Sequence, residues 1–361
     1  MAVIPTESRG RQAVGAVILA TTREDWRRLG RIRQTLLLAL FVGSLVVPAV
    51  TPTSFALSVA IEFLLFAFFG MGWNTIGGYA GQIELGKSVY VGIGAYTTAL
   101  AMVWWNVSPW LALPVAVVIS ILWSFMVGYP LFELRGHYFA IATIAVSLTL
   151  QELFLNWDLV NGAAGLILPV KPTPNLVYFQ FVSQAPYYYL MLVLCIASLV
   201  FLNWLQKSKL GYQLQAIKES EELAASLGVE IRWSKVKAYT IASVFATTGG
   251  WFYAMHRQFI DPNSVMSLDL SIKIALMAML GGAGSLWGPA IGALVLVPLD
   301  RYLGAVLGGS RTWRGMDFMI YGLIIMLVSV IEPRGITGLW ERVRRRSKPP
   351  LSGTEPHERP A

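Results

Sequence analysis

Charge is scarce in this sequence, cysteine almost absent and histidine rare. Of its 361 residues only 13% are Asp, Glu, Lys or Arg, while 55% are hydrophobic. A soluble domain carries about 25% charged and about 45–50% apolar residues, so the shortage excludes a soluble globular chain and leaves a polytopic membrane protein. The one cysteine, Cys195, can close no intrachain disulfide; inside the apolar run YYYLMLVLCIASLVFLNWL it reads as a small packing residue. His137, His256 and His357 stand far apart with no second ligand at helical spacing, so neither a metal site nor a cofactor is expected. Long polar stretches are missing too. The segments 1–34, 158–186, 206–236 and 334–361 each fall short of the ~50 residues of a small domain, which excludes an independent catalytic domain and any enzyme built on one.

The charge that is present is lopsided. A formal net charge of +8 sits mostly in two flanks, GRQAVGAVILATTREDWRRLGRIRQ at the start and ERVRRRSK near the end. On a membrane protein such flanks are cytoplasmic anchors facing anionic lipid, and no nucleic-acid partner is expected. The N-terminus is polar, with Arg9 and Arg11 ahead of only a short apolar patch, unlike a cleaved signal peptide. The end, RRRSKPPLSGTEPHERPA, has the Pro-rich polar composition of a disordered tail.

Apolar runs long enough to span a bilayer lie near 35–52, 55–77, 88–105, 110–131, 138–157, 187–205, 237–256 and 316–333. A further stretch, 268–304, is broken by GGAGSLWGP. With a cytoplasmic N-terminus this order places Lys87, Arg135 and the loop 206–236 inside and the Lys-poor loop 158–186 outside. The basic tail belongs inside as well if 268–304 crosses twice, giving about ten spans. A single crossing there, nine in all, would leave Arg342, Arg344, Arg345 and Arg346 outside. The expected fold is an all-α transmembrane helical bundle over 35–333, between a basic N-terminal segment, 1–34, and a basic tail, 334–361. Trp104, Trp105, Trp110, Trp204 and Trp251 read as interfacial belt residues. Glu62 and Glu152 fall within predicted spans, where an uncompensated charge costs around 2.5–3.5 kcal/mol, so each should face protein or water.

The stretch GQIELGKS, Gly81 to Ser88, matches the phosphate-binding pattern G-x-x-x-x-G-K-S. That loop works only between a buried strand and a helix of a parallel sheet, where backbone N–H groups converge on phosphate. Here the preceding run, FALSVAIEFLLFAFFGMGWNTIGG, is too long and aromatic for a strand, and the following run, VYVGIGAYTTALAMVWW, is another span. The match is a coincidence of letters.

The same residues carry a different likeness. GYAGQIELGKSVYVGIGAYTTAL resembles the G-Y-A-G-Q-x-S-L-G-H-A-A-F-x-G-I-G-A-Y signature of the membrane subunits of branched-chain amino acid ABC importers, LivM-type. Upstream, GWN with Asn74 is similar to the Gly-Leu-Asn that precedes it. RGHYFAIATIA, AIKESEELAASLGVEIRWSKVKAYTIAS and GGAGSLWGPAIGALVL resemble three later segments, in the family's order. The resemblance implies a non-catalytic permease subunit of a bacterial cell (inner) membrane importer, forming half of the pathway for branched-chain or related amino acids. Its implied partners are separate ATP-binding cassette subunits, a second, related permease subunit, a periplasmic or lipid-anchored substrate-binding protein and membrane lipid. Permeases of the same family for urea, amides or aromatic acids remain alternatives for the substrate, and a stand-alone secondary transporter for the mechanism.

Two groups of residues are candidates for the work. In LQAIKESEELAASLGV a single amphipathic helix over 214–228 would put Ala216, Ile217, Leu223, Ala224 and Leu227 on one stripe, cover the rest with Lys218, Glu219, Glu221 and Glu222, and end at Gly228. The resemblance makes it a coupling helix that docks on the ATP-binding subunit; a helix lying on the bilayer is the alternative. The second group, Asn74, Gln82, Glu84, Gly86, Lys87, Gly92, Gly94, Tyr96, Tyr138 and Asn161, would line or gate the pathway. The glycines serve equally for close helix packing, and Gln82 and Tyr96 for ordinary interhelical hydrogen bonds. Glu84 and Lys87 depart from the family, where Ser and His are expected, and Asn161 lies near where the family tends to have T-G-G. Three apart, Glu84 and Lys87 can pair on one helical face near lipid, or they alter the gate.

Overall fold

The computed structural model describes residues 47–48, 54–134, 136–170, 176–307, 322–323 and 335–338, and the side chains of 303–307 lie outside that set. The predicted spans 35–52 and 316–333 and both basic flanks fall almost wholly outside the described residues. The chain divides into two compact units, Met1–Leu57 and Ser58–Ala361; the second carries the helical bundle.

Its main helices are α1 (Ser54–Ile76), α2 (Lys87–Trp104), α3 (Pro109–Leu131), α4 (His137–Leu155), α5 (Ala185–Gln206), α6 (Lys209–Glu219), α7 (Glu221–Ser226), α8 (Ile231–Arg257), α9 (Pro262–Val265), α10 (Leu268–Gly282) and α11 (Gly288–Leu307). A two-stranded antiparallel ribbon, β1 (Leu166–Ile167) with β2 (Phe259–Ile260), ties the loop after α4 to the end of α8 in the register Leu166 to Ile260. Among the described residues, five stretches are long and apolar enough to cross a bilayer: Ser54–Ile76, Pro109–Leu131, His137–Leu155, Ala185–Gln206 and Pro262–Gly282. At 1.5 Å per residue each covers roughly the 30 Å of a hydrocarbon core. The protein is a multi-pass helical membrane protein.

Burial sorts the helices into outer and inner ones. On α3 the buried side is a stripe of small residues four apart, Ala112, Ala116, Ser120, Ser124 and Gly128. The opposite side, with Leu111, Val115, Val118 and Leu122, is exposed and apolar. Small residues inward and branched ones outward suit a helix packed on protein along one face and on lipid along the other. α2 is the reverse case: thirteen of its eighteen residues are buried, so it sits in the interior. It packs along α8, and the two backbones touch at glycines. A Cβ on Gly94 would overlap the Thr247 carbonyl, and one on Gly250 the Val91 carbonyl. Backbone cannot retreat as a flexible side chain can, so Gly94→Val is expected to abolish accumulation of folded protein, read as loss of the monodisperse peak after detergent extraction; a wild-type yield would refute the contact.

Serine and threonine stitch the interior. Ser88 is central: its amide donates to Ser271 Oγ at 2.8 Å and its hydroxyl to the Met266 carbonyl at 3.0 Å, with Ser147 Oγ 3.1 Å away. α2 is thereby joined to α4 and α10. Trp251 departs from the expected interfacial belt. It is 1% exposed, and its indole donates to the Pro109 carbonyl at 2.7 Å. Trp104, Trp105, Trp110 and Trp204 are exposed at helix ends, as a belt requires.

Candidate functional site

The loop 206–230 folds into two short helices where one was expected. Ser220 is extended (φ −162°, ψ 119°), which breaks the helix, and its hydroxyl accepts from the Leu223 amide at 3.3 Å to cap α7. Glu221 and Glu222 occupy the first turn of α7, where carboxylates suit the positive end of the helix dipole. Gly228, at φ +80°, ends the segment in the left-handed region.

This break divides the expected stripe. Ile217 and Ala224 are buried, with Leu214, against the chain's own bundle, and Ala216 is half-buried. Leu223 and Leu227, at 68% and 81% exposure, point away from it, with Glu219 exposed too. Nor is the polar face uniformly outward. Lys218 Nζ donates to the Gly78 carbonyl at 2.8 Å. Glu221 Oε1 accepts from Gln82 Nε2 at 3.3 Å and pairs with Lys235 Nζ at 2.5 Å.

These contacts join α6 and α7 to the turn Gly77–Gly81, the beginning of the glycine-rich signature. The same turn reaches the α10–α11 connection through Asn74, which is fully buried. Its side-chain oxygen accepts from the Gly284 amide at 2.7 Å, and its amide donates to the Ser285 carbonyl at 2.8 Å. Gly284 adopts φ +93°, which glycine takes without strain. Three segments distant in sequence, 74–82, 214–235 and 282–285, therefore form one hydrogen-bonded junction at one end of the bundle.

Just inside it lies the Glu84–Lys87 pair. Glu84 precedes α2, so the two do not share a helical face; Lys87 Nζ nevertheless sits 2.6 Å from Glu84 Oε2, and both side chains are fully buried. The pair is interior, not at a lipid edge. The ammonium also lies over the rings of Tyr239, at 5.2 Å, and Tyr90, at 5.5 Å. The carboxylate receives no hydrogen bond among the described residues beyond this ion pair. A lysine enclosed in this way is inaccessible to phosphate, as the reading of GQIELGKS requires.

The other sequence candidates lie elsewhere. A Cβ on Gly86 would press on the Thr143 carbonyl, and Gly92 abuts the Met266 side chain, so these glycines, with Gly94, pack helices. Tyr96 is buried with its ring 4.9 Å from that of Phe154, and its hydroxyl finds no hydrogen-bond partner among the described residues. Tyr138 is 73% exposed at the start of α4. Asn161, at φ 60°, braces its own loop by donating to the Gly165 carbonyl at 2.7 Å. Sequence reasoning missed a second charged group. Glu62 of α1 pairs with Arg257 of α8 at 3.1 Å and with Arg301 of α11, and Lys273 pairs with Asp300 at 3.3 Å. The signal that could have found it is that opposite charges set in apolar spans must meet one another. Glu152 is exposed on α4 and accepts from the Asn156 amide at 2.9 Å. No cluster of potential metal ligands occurs among the described residues.

The sequence is similar to those of known proteins. The family model described as the branched-chain amino acid transport system permease component matches residues 55–329. The chain is similar to the high-affinity branched-chain amino acid transport system permease protein LivM of Escherichia coli K12, at 27% identity over 77% of this chain and 69% of that protein. A probable branched-chain amino acid transport permease protein LivM from Methanocaldococcus jannaschii is 26% identical over 61% of this chain and 67% of its own length. The autoinducer 2 import system permease protein LsrC of Escherichia coli O9:H4 is 25% identical over 77% and 81%. No solved structure gives a significant match. With three quarters of its length inside the family model, the chain belongs to the family of branched-chain amino acid transport permeases.

Proposed function

We propose that this permease forms half of the translocation pathway of an ABC importer in the bacterial inner membrane, carries branched-chain or related amino acids, and receives its work from a separate ATP-binding subunit docked on α6–α7. The observation that carries the reading is the junction. α7 presents Leu223 and Leu227 outward while Lys218 and Glu221 fasten the same segment to Gly78 and Gln82. A push on the exposed leucines would therefore reach the turn that feeds α2 and, through Asn74, the α10–α11 connection.

The substrate class rests on the LivM relatives; the LsrC relatives are named for a different solute, so the fold admits more than one cargo. A second permease subunit would complete the pore, and a binding protein would deliver the solute. The charge pattern supports ten crossings with both termini cytoplasmic, which places α6–α7 where an ATPase can reach it. Two measurements test this. ATP-dependent uptake of labelled leucine through the reconstituted importer is expected, and uptake of only some other solute would refute the substrate class. Alkaline phosphatase fused after Arg346 is expected to be inactive; active enzyme there would refute ten crossings in favour of nine.

A further inference from the structure

Away from the junction, α1, α8, α10 and α11 line an open cavity of about 360 Å³, at the small end of the roughly 300–1,000 Å³ found for ligand sites. One side is apolar, with Leu65, Phe66 and Phe69. The other carries both signs of charge: Glu62 and Arg257, then Asp269, Lys273 and Asp300 on the two following helices. The paired charges are not sealed. The Arg257 side chain is 40% exposed and lines the cavity, as do those of Lys273 and Asp300. Asp269 lies in the first turn of α10 and is exposed.

Ion pairs that served only to hold helices together would be closed over by packing, since every unfilled space beside them forfeits contacts. Here a space remains, walled by a guanidinium, carboxylates and aromatic rings. A guanidinium takes a carboxylate in bidentate fashion, an aspartate takes an ammonium, and Phe and Leu take an aliphatic side chain. One small molecule has all three parts.

We propose that this cavity binds an α-amino acid with an apolar side chain as a zwitterion, its carboxylate on Arg257, its ammonium on Asp269 and its side chain against Phe66 and Phe69. The proposal deepens the amino-acid reading above and rests on it. In the bound state the carboxylate competes with Glu62 for Arg257, and Arg301 keeps Glu62 paired while it does so. A zwitterionic lipid headgroup shares the two charges, but it has no short apolar side chain to place on the rings.

The test uses the assembled importer without its binding protein, in phosphatidylcholine nanodiscs, and measures saturable binding of labelled L-leucine. Leucinol, which lacks the carboxylate, is expected to compete at least tenfold more weakly than leucine. Arg257→Gln and Asp269→Asn are each expected to weaken leucine binding at least tenfold in complexes that still purify intact. Asp269→Asn guards against misfolding, because Asp269 is exposed and forms no salt bridge among the described residues. Leucine binding unchanged by both variants, in an importer that takes up leucine, overturns the site alone. Wild-type complex that takes up leucine but binds none in this form does the same, as does co-purified phosphatidylethanolamine released by Arg257→Gln in place of leucine. An importer that takes up no amino acid overturns both this site and the reading beneath it.

Discussion

Replacing Lys87 alone by Met is expected to cost about 3–5 kcal/mol and to leave little folded protein, because it strands the Glu84 carboxylate in a fully buried site. Glu84→Met should do comparable harm, since it leaves an ammonium with only the faces of Tyr90 and Tyr239. The double variant Glu84→Met with Lys87→Met removes both charges together and fills the space with adaptable side chains, so much of the stability should return. Thermal unfolding in detergent, followed by intrinsic tryptophan fluorescence, reads all three. Single variants as stable as wild type would show that the pair is solvated or broken in the membrane. Transport by the double variant separates the two roles open for these residues. A structural pair leaves uptake intact once folding is restored, whereas a gate leaves a folded permease that does not transport.

The contrast between this pair and the remaining candidates shows which features a sequence reveals. Several helix boundaries were legible because lipid demands long uninterrupted apolar runs, although 88–105 and 237–256 form helices that are not among the five stretches apolar enough to cross. The expected 187–205 corresponds to Ala185–Gln206, and GGAGSLWGP does divide the long apolar stretch 268–304, into α10 and α11. Composition alone said less about depth. Trp251 resembles a belt residue in sequence, yet it lies in the interior because Gly249 and Gly250 let α8 approach its neighbours closely. Amphipathicity misled at the loop for a different reason. Periodicity presupposes one helix axis, and Ser220, by turning extended, starts a new axis at Glu221, so that Leu223 and Leu227 no longer lie on the buried side with Ile217. The charged cavity was hidden by distance: Glu62 meets Arg257 across 195 positions and Arg301 across 239, and such partners emerge only when the helices are brought together.

The corrected geometry of α6–α7 changes which substitution should uncouple transport. Ala224 is buried against the chain's own bundle, so a bulky replacement there would damage the permease itself and say nothing about a partner. Leu223 and the C-cap Leu227 are exposed on one short capped helix, and a pair of exposed leucines on a charged segment is an anomaly unless something covers them. Leu223→Arg combined with Leu227→Arg is therefore expected to leave the yield and melting temperature of the isolated permease within error of wild type. The same variant should lose co-purification of the ATP-binding subunit and reduce ATP-dependent uptake by at least tenfold, since clustered apolar anchors commonly dominate an interface. Glu222→Ala, an exposed neighbour on the same turn, should be mild by comparison. Lys218→Ala should behave differently from both. By removing the bond to the Gly78 carbonyl it should keep the ATPase bound and its hydrolysis running while uptake falls, because the partner then pushes on a segment no longer fastened to the turn before α2. Wild-type ATP-dependent uptake with an intact complex in the double arginine variant would remove α7 from the interface and put the contact with the ATP-binding subunit elsewhere on the permease.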